Sequence, residues 1–291
     1  MLNCIKLRGV LAGTKAAGAA ALMAATLLPA GSTQAAQVAH DDFDYGPGVS
    51  FSTGTSNGGT GWTSAWTSTG VSSFVTSGSG KSMDFNQLPG LVVDGSTHIW
   101  SESSKGNYRN FPDVDMGSET LYMTMLVRDY GGGASVADLA VRLHDGPGAG
   151  GNMRGNFGID GGTLFADGNT TGYGAGDTLA AAFATDTTYL LAMKRDSAGI
   201  SAALIYADGL ASTLAAEPVW QVNDPVGTGV AFESIRVLTN SAAANTGAGI
   251  RIDEVRLATD WAGAVAGLPI PEPSSLALAS LGALAMIKRR R

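Results

Sequence analysis

Apolar and polar residues alternate with period two in several stretches of this chain. In Leu121-Tyr122-Met123-Thr124-Met125-Leu126-Val127-Arg128 the odd positions are apolar, and Leu139, Val141 and Leu143 repeat the pattern against Asp138, Arg142 and His144. That is the signature of strands with one face in a core. Tyr189, Leu191 and Met193 alternate ahead of Asp196-Ser197-Ala198-Gly199, and Ile200, Leu204 and Tyr206 follow it, which predicts a hairpin. Ile235 and Val237 mark another strand, and Ile250-Arg251-Ile252-Asp253-Glu254-Val255-Arg256-Leu257 is the last. Its apolar parity changes from even to odd. A regular strand would turn one apolar pair outward, so the pattern predicts a β-bulge at Asp253-Glu254.

No long stretch shows helical periodicity, Gly is abundant at 41 of 291 residues, and Ser and Thr are frequent. Strands joined by Gly-rich turns follow, in one all-β sandwich over residues 37–265. No internal repeat suggests a propeller or solenoid. The two ends carry a different pattern. Lys6, Arg8 and Lys15 precede an uncharged apolar stretch of 13 residues, Ala16 to Leu28, which Pro29-Ala30-Gly31 breaks. This is the order of a secretory signal peptide, residues 1–36, with cleavage near Ala35 or Ala36. At the other end, residues 266–291, Pro271-Glu272-Pro273 leads into 14 uncharged residues, Ser274 to Ile287, and Lys288-Arg289-Arg290-Arg291 closes the chain. As a helix the apolar run reaches roughly 21 Å against a hydrocarbon core of about 30 Å, a short transmembrane helix with its cations on the cytoplasmic side.

Setting both ends aside changes the charge. Three of the 18 cations lie in the leader and four in the tail, against one of the 25 acids, so the sandwich holds 11 cations and 24 acids, a net charge of −13. Such a surface repels nucleic acid and anionic membrane. Cys4 is the one cysteine and lies in the leader, so the sandwich has no disulfide and depends on core burial.

The tail, with Pro271, Glu272 and Pro273, the apolar run and then Lys288, Arg289, Arg290 and Arg291, resembles the PEP-CTERM sorting signal of Gram-negative bacteria. The resemblance implies export through the general secretory machinery, signal peptidase cleavage and transient membrane attachment. Exosortase processing and delivery to the cell surface or extracellular polysaccharide matrix would follow. Asp42-Phe43-Asp44-Tyr45, Gly58-Gly59-Thr60-Gly61-Trp62 with Trp66, Tyr108-Arg109 and Arg251-Ile252-Asp253-Glu254-Val255-Arg256 resemble the LamG or concanavalin A-like jelly-roll domains of many such proteins. This implies an antiparallel two-sheet sandwich with its first and last strands adjacent. It also implies that Asp42 or Asp44 shares a structural calcium ion with Asp253.

Other motifs fail on context. Gly78-Ser79-Gly80-Lys81-Ser82 ends like a phosphate-binding loop, but its first glycine would have to stand where Val75 does, and no helix pattern follows. Gly54-Thr55-Ser56-Asn57-Gly58 matches a nucleophile elbow, yet Gly58-Gly59-Thr60-Gly61 forbids the required helix. His40, His98 and His144 lack metal-ligand spacing, and His144 reads as solvent-facing. The paired acids of a glycosidase need to sit about 5 Å apart, whereas Asp253 and Glu254 are strand neighbours. The acidic loops 113–119, 167–169 and 174–177 read as turns. Trp62 and Trp66, in a Gly-rich loop, are the candidates for sugar stacking, and Tyr108 and Arg109 read as framework packing with a surface ion pair.

The reading is an exported, non-enzymatic sandwich with a structural or carbohydrate-interacting role in the exopolysaccharide layer. Its alternatives are a carbohydrate-binding module with structural calcium, and a divergent glycosidase or polysaccharide lyase using Asp253 or Glu254.

Overall fold

The computed structural model describes residues 37–268, leaving out 44–48, 51–56, 69–72, 78–96, 102–105, 116, 130–137, 149–150, 169–175, 181–182, 186, 207–213, 215, 226–230, 241–249 and 267. The leader and the apolar tail lie outside these residues. Among the described residues no helix is long and apolar enough to cross a membrane.

Among the described residues sixteen strands run in chain order. The first five are β1 (Gln37–Asp41), β2 (Val49–Ser50), β3 (Thr67–Ser68), β4 (Ser73–Ser77) and β5 (Thr97–Ser101). The next five are β6 (Gly106–Asp115), β7 (Leu121–Asp129), β8 (Asp138–His144), β9 (Met153–Asp160) and β10 (Thr163–Asp167). The last six are β11 (Asp177–Ala180), β12 (Thr188–Arg195), β13 (Gly199–Tyr206), β14 (Val222–Pro225), β15 (Ala231–Asn240) and β16 (Ile250–Ala258). One turn of helix, α1 (Trp261–Ala264), follows, and the Asp260 carboxylate caps it by accepting from Gly263 N at 2.6 Å.

The strands form two antiparallel sheets. The larger runs β14-β13-β12-β7-β16-β5-β4-β2 with β1 also on β16, and the smaller runs β11-β10-β9-β8-β15-β6-β3. Between them lies one core. It takes Leu121, Met123, Met125, Val127, Leu191 and Met193 from the larger sheet and Leu139, Val141, Leu143, Phe157, Ile235 and Val237 from the smaller. The expected hairpin is present as β12 and β13, paired from Tyr189 with Tyr206 to Arg195 with Ile200. The first and last described strands are neighbours, His40 opposite Arg256 and Asp41 opposite Val255.

The bulge is present as well. Asp253 pairs with Leu126 and Arg256 with Thr124, so β16 holds one residue more than β7 between these pairs, and Glu254 takes φ 52° to accommodate it. Ile250, Ile252, Val255 and Leu257 therefore all reach the core despite their change of parity. At the same place β16 changes its second neighbour, from β5 at Ile252 to β1 at Val255.

One expectation from alternation is corrected, and one outward face is found covered. The outward residues of β7 are covered: Tyr122 and Leu126 join Leu214, Trp261, Ala264, Val265 and Leu268 in a second cluster, because α1, Leu214 and Trp220 pack on that face. His144 is 5 % exposed rather than solvent-facing; its Nδ1 meets Gly151 O at 3.0 Å and its ring meets Tyr108 edge-on. Burial, with Arg236 and Arg142 close by, holds the His144 pKa below the ordinary histidine value, against the opposing pull of Gly151 O and Asp145. A base with a lowered folded pKa contributes stability that is full above its unfolded pKa and is lost as pH falls through the folded one. The melting temperature is therefore expected to fall below about pH 6.5, and to fall less steeply in His144→Gln. Parallel pH–melting curves for the two proteins would remove His144 from the acid response.

Candidate functional site

The residues singled out near the two sheet junctions converge beside the bulge. β1 brings His40 and Asp41, the following residues bring Asp42 and Phe43, β16 brings Asp253, Glu254 and Arg256, and β6 brings Arg109. The Gly-rich loop closes over them. His40 N donates to Thr60 O at 2.9 Å and Thr60 N donates back to His40 O at 2.8 Å, so the loop lies against β1. Gly59 and Gly61 flank that bridge at φ +72° and +78°, where a Cβ would stand 2.1 Å from His40 O and 2.0 Å from Val38 O. Both glycines are thus required by backbone conformation and by close approach. Gly61→Ala is expected to lower stability by about 2 kcal/mol or more, read as a drop in the denaturation midpoint at unchanged slope; an unchanged midpoint would mean that the loop does not lie on β1.

At the centre is a buried ion pair. Arg109 Nη1 donates to Asp41 Oδ2, with Arg109 1 % and Asp41 0 % exposed. Trp66 Nε1 donates to the same oxygen at 2.6 Å, and Phe43 N donates to Oδ1 at 2.9 Å. Two further Arg109 donors serve the loop: Nη2 reaches Gly58 O at 2.6 Å and Nε reaches Ser64 O at 3.1 Å. Its guanidinium lies 4.6 Å from the Trp62 ring centre and 5.6 Å from that of Trp66. The expected surface ion pair of Arg109 is therefore corrected to a buried one.

This arrangement also places the two loop tryptophans. Trp66 is fully buried against Phe43 and Trp62, which corrects its expected exposure: it has no free face for a sugar. Trp62 is half-buried, with Arg109 over its ring and Nε1 donating to His40 O at 2.9 Å. Its indole is packed as framework on at least one face.

On the other side of β1 the acids part company. Glu254 Oε2 accepts from Arg256 Nη2 at 2.5 Å and lies 2.9 Å from His40 Nε2, while Arg256 Nη1 donates to Ala266 O at 2.5 Å. Burial raises the Glu254 pKa, but these partners outweigh it and hold the carboxyl below its ordinary value. Asp253 is fully buried, with Oδ1 accepting from Glu254 N at 2.8 Å and Oδ2 without a hydrogen-bond partner. Burial first, then the charges of Glu254, Asp42 and Asp41, push its pKa well above the usual carboxylate range. A polysaccharide has no access to Asp253, and Glu254 is held as an ion-paired anion, so the two make no acid and nucleophile pair.

Asp42 lies within electrostatic reach of Asp253, and Asp44 lies outside the described residues. Among the described residues no group of three or more His, Cys, Asp or Glu stands close enough to hold a metal ion.

Comparison with known families bears on the other end of the chain. Residues 269–291 match the PEP-CTERM protein-sorting motif. The match takes in Pro271, Glu272 and Pro273 and the closing Lys288, Arg289, Arg290 and Arg291, so the chain carries this sorting signal. A search of curated proteins returns no match. Among solved structures, similar ones include a Bacillus subtilis protein of unknown function with a galectin-like fold, at TM-score 0.43 and 8 % identity over 77 % of this chain and 96 % of that one. The calcium-bound VIP36 exoplasmic/lumenal domain is similar at TM-score 0.40 and 12 % identity, over 56 % of this chain and 78 % of its own. An alginate lyase of polysaccharide lyase family 7 is similar at TM-score 0.33 and 10 % identity, over 63 % and 74 %. At these scores none assigns a role to a residue of this chain.

Arg256 and His40 as partners of Glu254, and Asp41 as partner of Arg109, were not legible in the sequence. The two members of the buried pair stand 68 residues apart, with no local pattern joining them.

Proposed function

We propose that this is an exported protein whose tail is processed by an exosortase, and whose sandwich works without catalysis at the cell surface or in the extracellular polysaccharide layer. Its role there is structural or carbohydrate-interacting. The observation that carries the reading is the sorting motif at residues 269–291. Export also agrees with the leader-like order of residues 1–36. The non-catalytic part rests on Asp253 and Glu254, one inaccessible and the other ion-paired.

Intact-mass analysis of the protein from the producing bacterium, taken separately from membrane and matrix, tests the address. A matrix species lacking the leader and the residues after about Pro273 is the expected result. A full-length C-terminus found only in the membrane would make the tail a lasting anchor and remove the matrix reading.

A second reading adds structural calcium. The buried, unpartnered Oδ2 of Asp253 favours it, since a divalent cation would give that oxygen a partner and offset the crowding with Asp42. Asp253 and Asp42 would hold the ion, with Asp44 as the further donor that the sequence offers. The ion would supply charge neutralisation at the junction of β1 and β16.

A further inference from the structure

Away from the bulge, at the β14 edge of the larger sheet, the β12–β13 hairpin and the chain entering β14 enclose an open cleft of about 330 Å³. Lys194, Asp196, Ser201, Trp220, Asn223 and Asp224 line it. Its volume is at the low end of the roughly 300–1,000 Å³ of small-ligand sites.

Trp220 is held before anything enters. Its Nε1 donates to Glu217 Oε2 at 3.1 Å, and the other Glu217 oxygen accepts from Tyr122 Oη at 2.5 Å. The indole packs tilted on Tyr122, with ring centres 6.5 Å apart, and edge-on against Trp261 at 6.2 Å. Half-buried and with its N–H engaged, it offers the cleft apolar ring surface and no hydrogen bond. Next to it Val219 is 90 % exposed and extends the apolar rim.

The polar groups are partly engaged in a way that leaves defined capacity. Ser201 Oγ donates to Asn223 Oδ1 at 2.7 Å, which leaves the exposed Asn223 amide N–H₂ to donate. Asp224 Oδ2 accepts from Gly168 N at 2.7 Å, which leaves Oδ1 to accept. Lys194 Nζ lies between Asp196 at 3.4 Å and Glu217 at 3.6 Å, so its charge is already balanced.

An aromatic surface beside one amide donor and one carboxylate acceptor matches a pyranose ring, whose C–H groups pack on the indole while neighbouring hydroxyls donate to the carboxylate and accept from the amide. Carboxylated or sulfated sugars do not match. The one lysine is neutralised by two acids, Asp224 adds a third negative charge, and the sandwich carries −13. We infer that the Trp220 cleft is a binding subsite for a neutral pyranose unit of a polysaccharide. The inference rests on the carbohydrate-interacting reading and supplies the ligand class and the site.

The test is native affinity electrophoresis of the protein recovered from the producing bacterium, through gels containing soluble neutral glucan, mannan or galactan, with alginate as the polyanion. Retardation by at least one neutral polymer is expected, with the apparent dissociation constant raised tenfold or more in Trp220→Ala and in Asn223→Ala. Asn223→Ala alters an exposed side chain, so it decides the matter if Trp220→Ala loosens the packing on Tyr122 and Trp261. Retardation by a neutral polymer that Asn223→Ala leaves unchanged overturns this site and leaves the carbohydrate-interacting reading standing. Retardation by alginate alone overturns the neutral ligand class. Retardation by none of the polymers overturns both the site and the carbohydrate-interacting reading.

Discussion

Arg109→Ala is expected to lower the melting temperature on the order of 10 °C, more than any other single change at this junction. The substitution takes away the guanidinium that the fully buried Asp41 pairs with, and removing one partner of a buried ion pair costs about 3–5 kcal/mol. A domain of this size shifts by roughly 2–4 °C per kcal/mol, and its total stability is about 5–15 kcal/mol. The effect extends beyond one charge. Arg109 also donates to Gly58 O and Ser64 O and lies over Trp62, so its loss releases the Gly-rich loop from the sheets. A double variant, Asp41→Asn with Arg109→Met, separates the causes. The amide oxygen still accepts from Phe43 N or Trp66 Nε1, and both charges of the pair are removed together, so the double variant is expected to melt above Arg109→Ala. A drop of less than about 2 °C in Arg109→Ala, on the same scale, would mean that the pair is not buried in solution.

The different fates of the expectations follow from the range of the forces behind them. Alternation and the change of parity at 250–257 are local, and each strand's backbone enforces them, so the two sheets, the hairpin and the bulge were legible. The outer face of β7 was not. Residues far downstream cover it, Glu217 at 95 positions from Tyr122 and α1 among them, and an alternating strand does not tell which of its faces will be covered. The requirement for glycine in the Gly-Gly-Thr-Gly-Trp segment is close approach to β1, at His40 O and Val38 O, and those atoms lie about 20 residues away, beyond any local pattern. Trp66 was misjudged for the same reason. A loop tryptophan is exposed unless a distant group caps it, and here Asp41 accepts its N–H inside the core. The sorting motif was fully legible because it consists of residues in a fixed local order, without a fold to assemble it.

Asp253 supports the other large prediction, a change of sign that depends on calcium. In excess EDTA at neutral pH, Asp253→Asn is expected to raise the melting temperature. The amide keeps an oxygen to accept from Glu254 N, carries no charge to desolvate beside Glu254, Asp42 and Asp41, and gains on the order of 1–2 kcal/mol. In calcium chloride the order is expected to reverse. The native protein gains about 2.7 kcal/mol at a calcium concentration one hundred times the dissociation constant, whereas the variant, having exchanged a carboxylate ligand for an amide, gains little. Two melting curves for each protein decide it. Coincident curves for the native protein with and without calcium would remove the ion, and the buried Oδ2 of Asp253 would then stand as a cost of the bulge, accepted so that Ile252 and Val255 can both face the core. Stabilisation of the native protein and not of the variant would make the same carboxylate the point at which an extracellular ion fastens the first strand to the last.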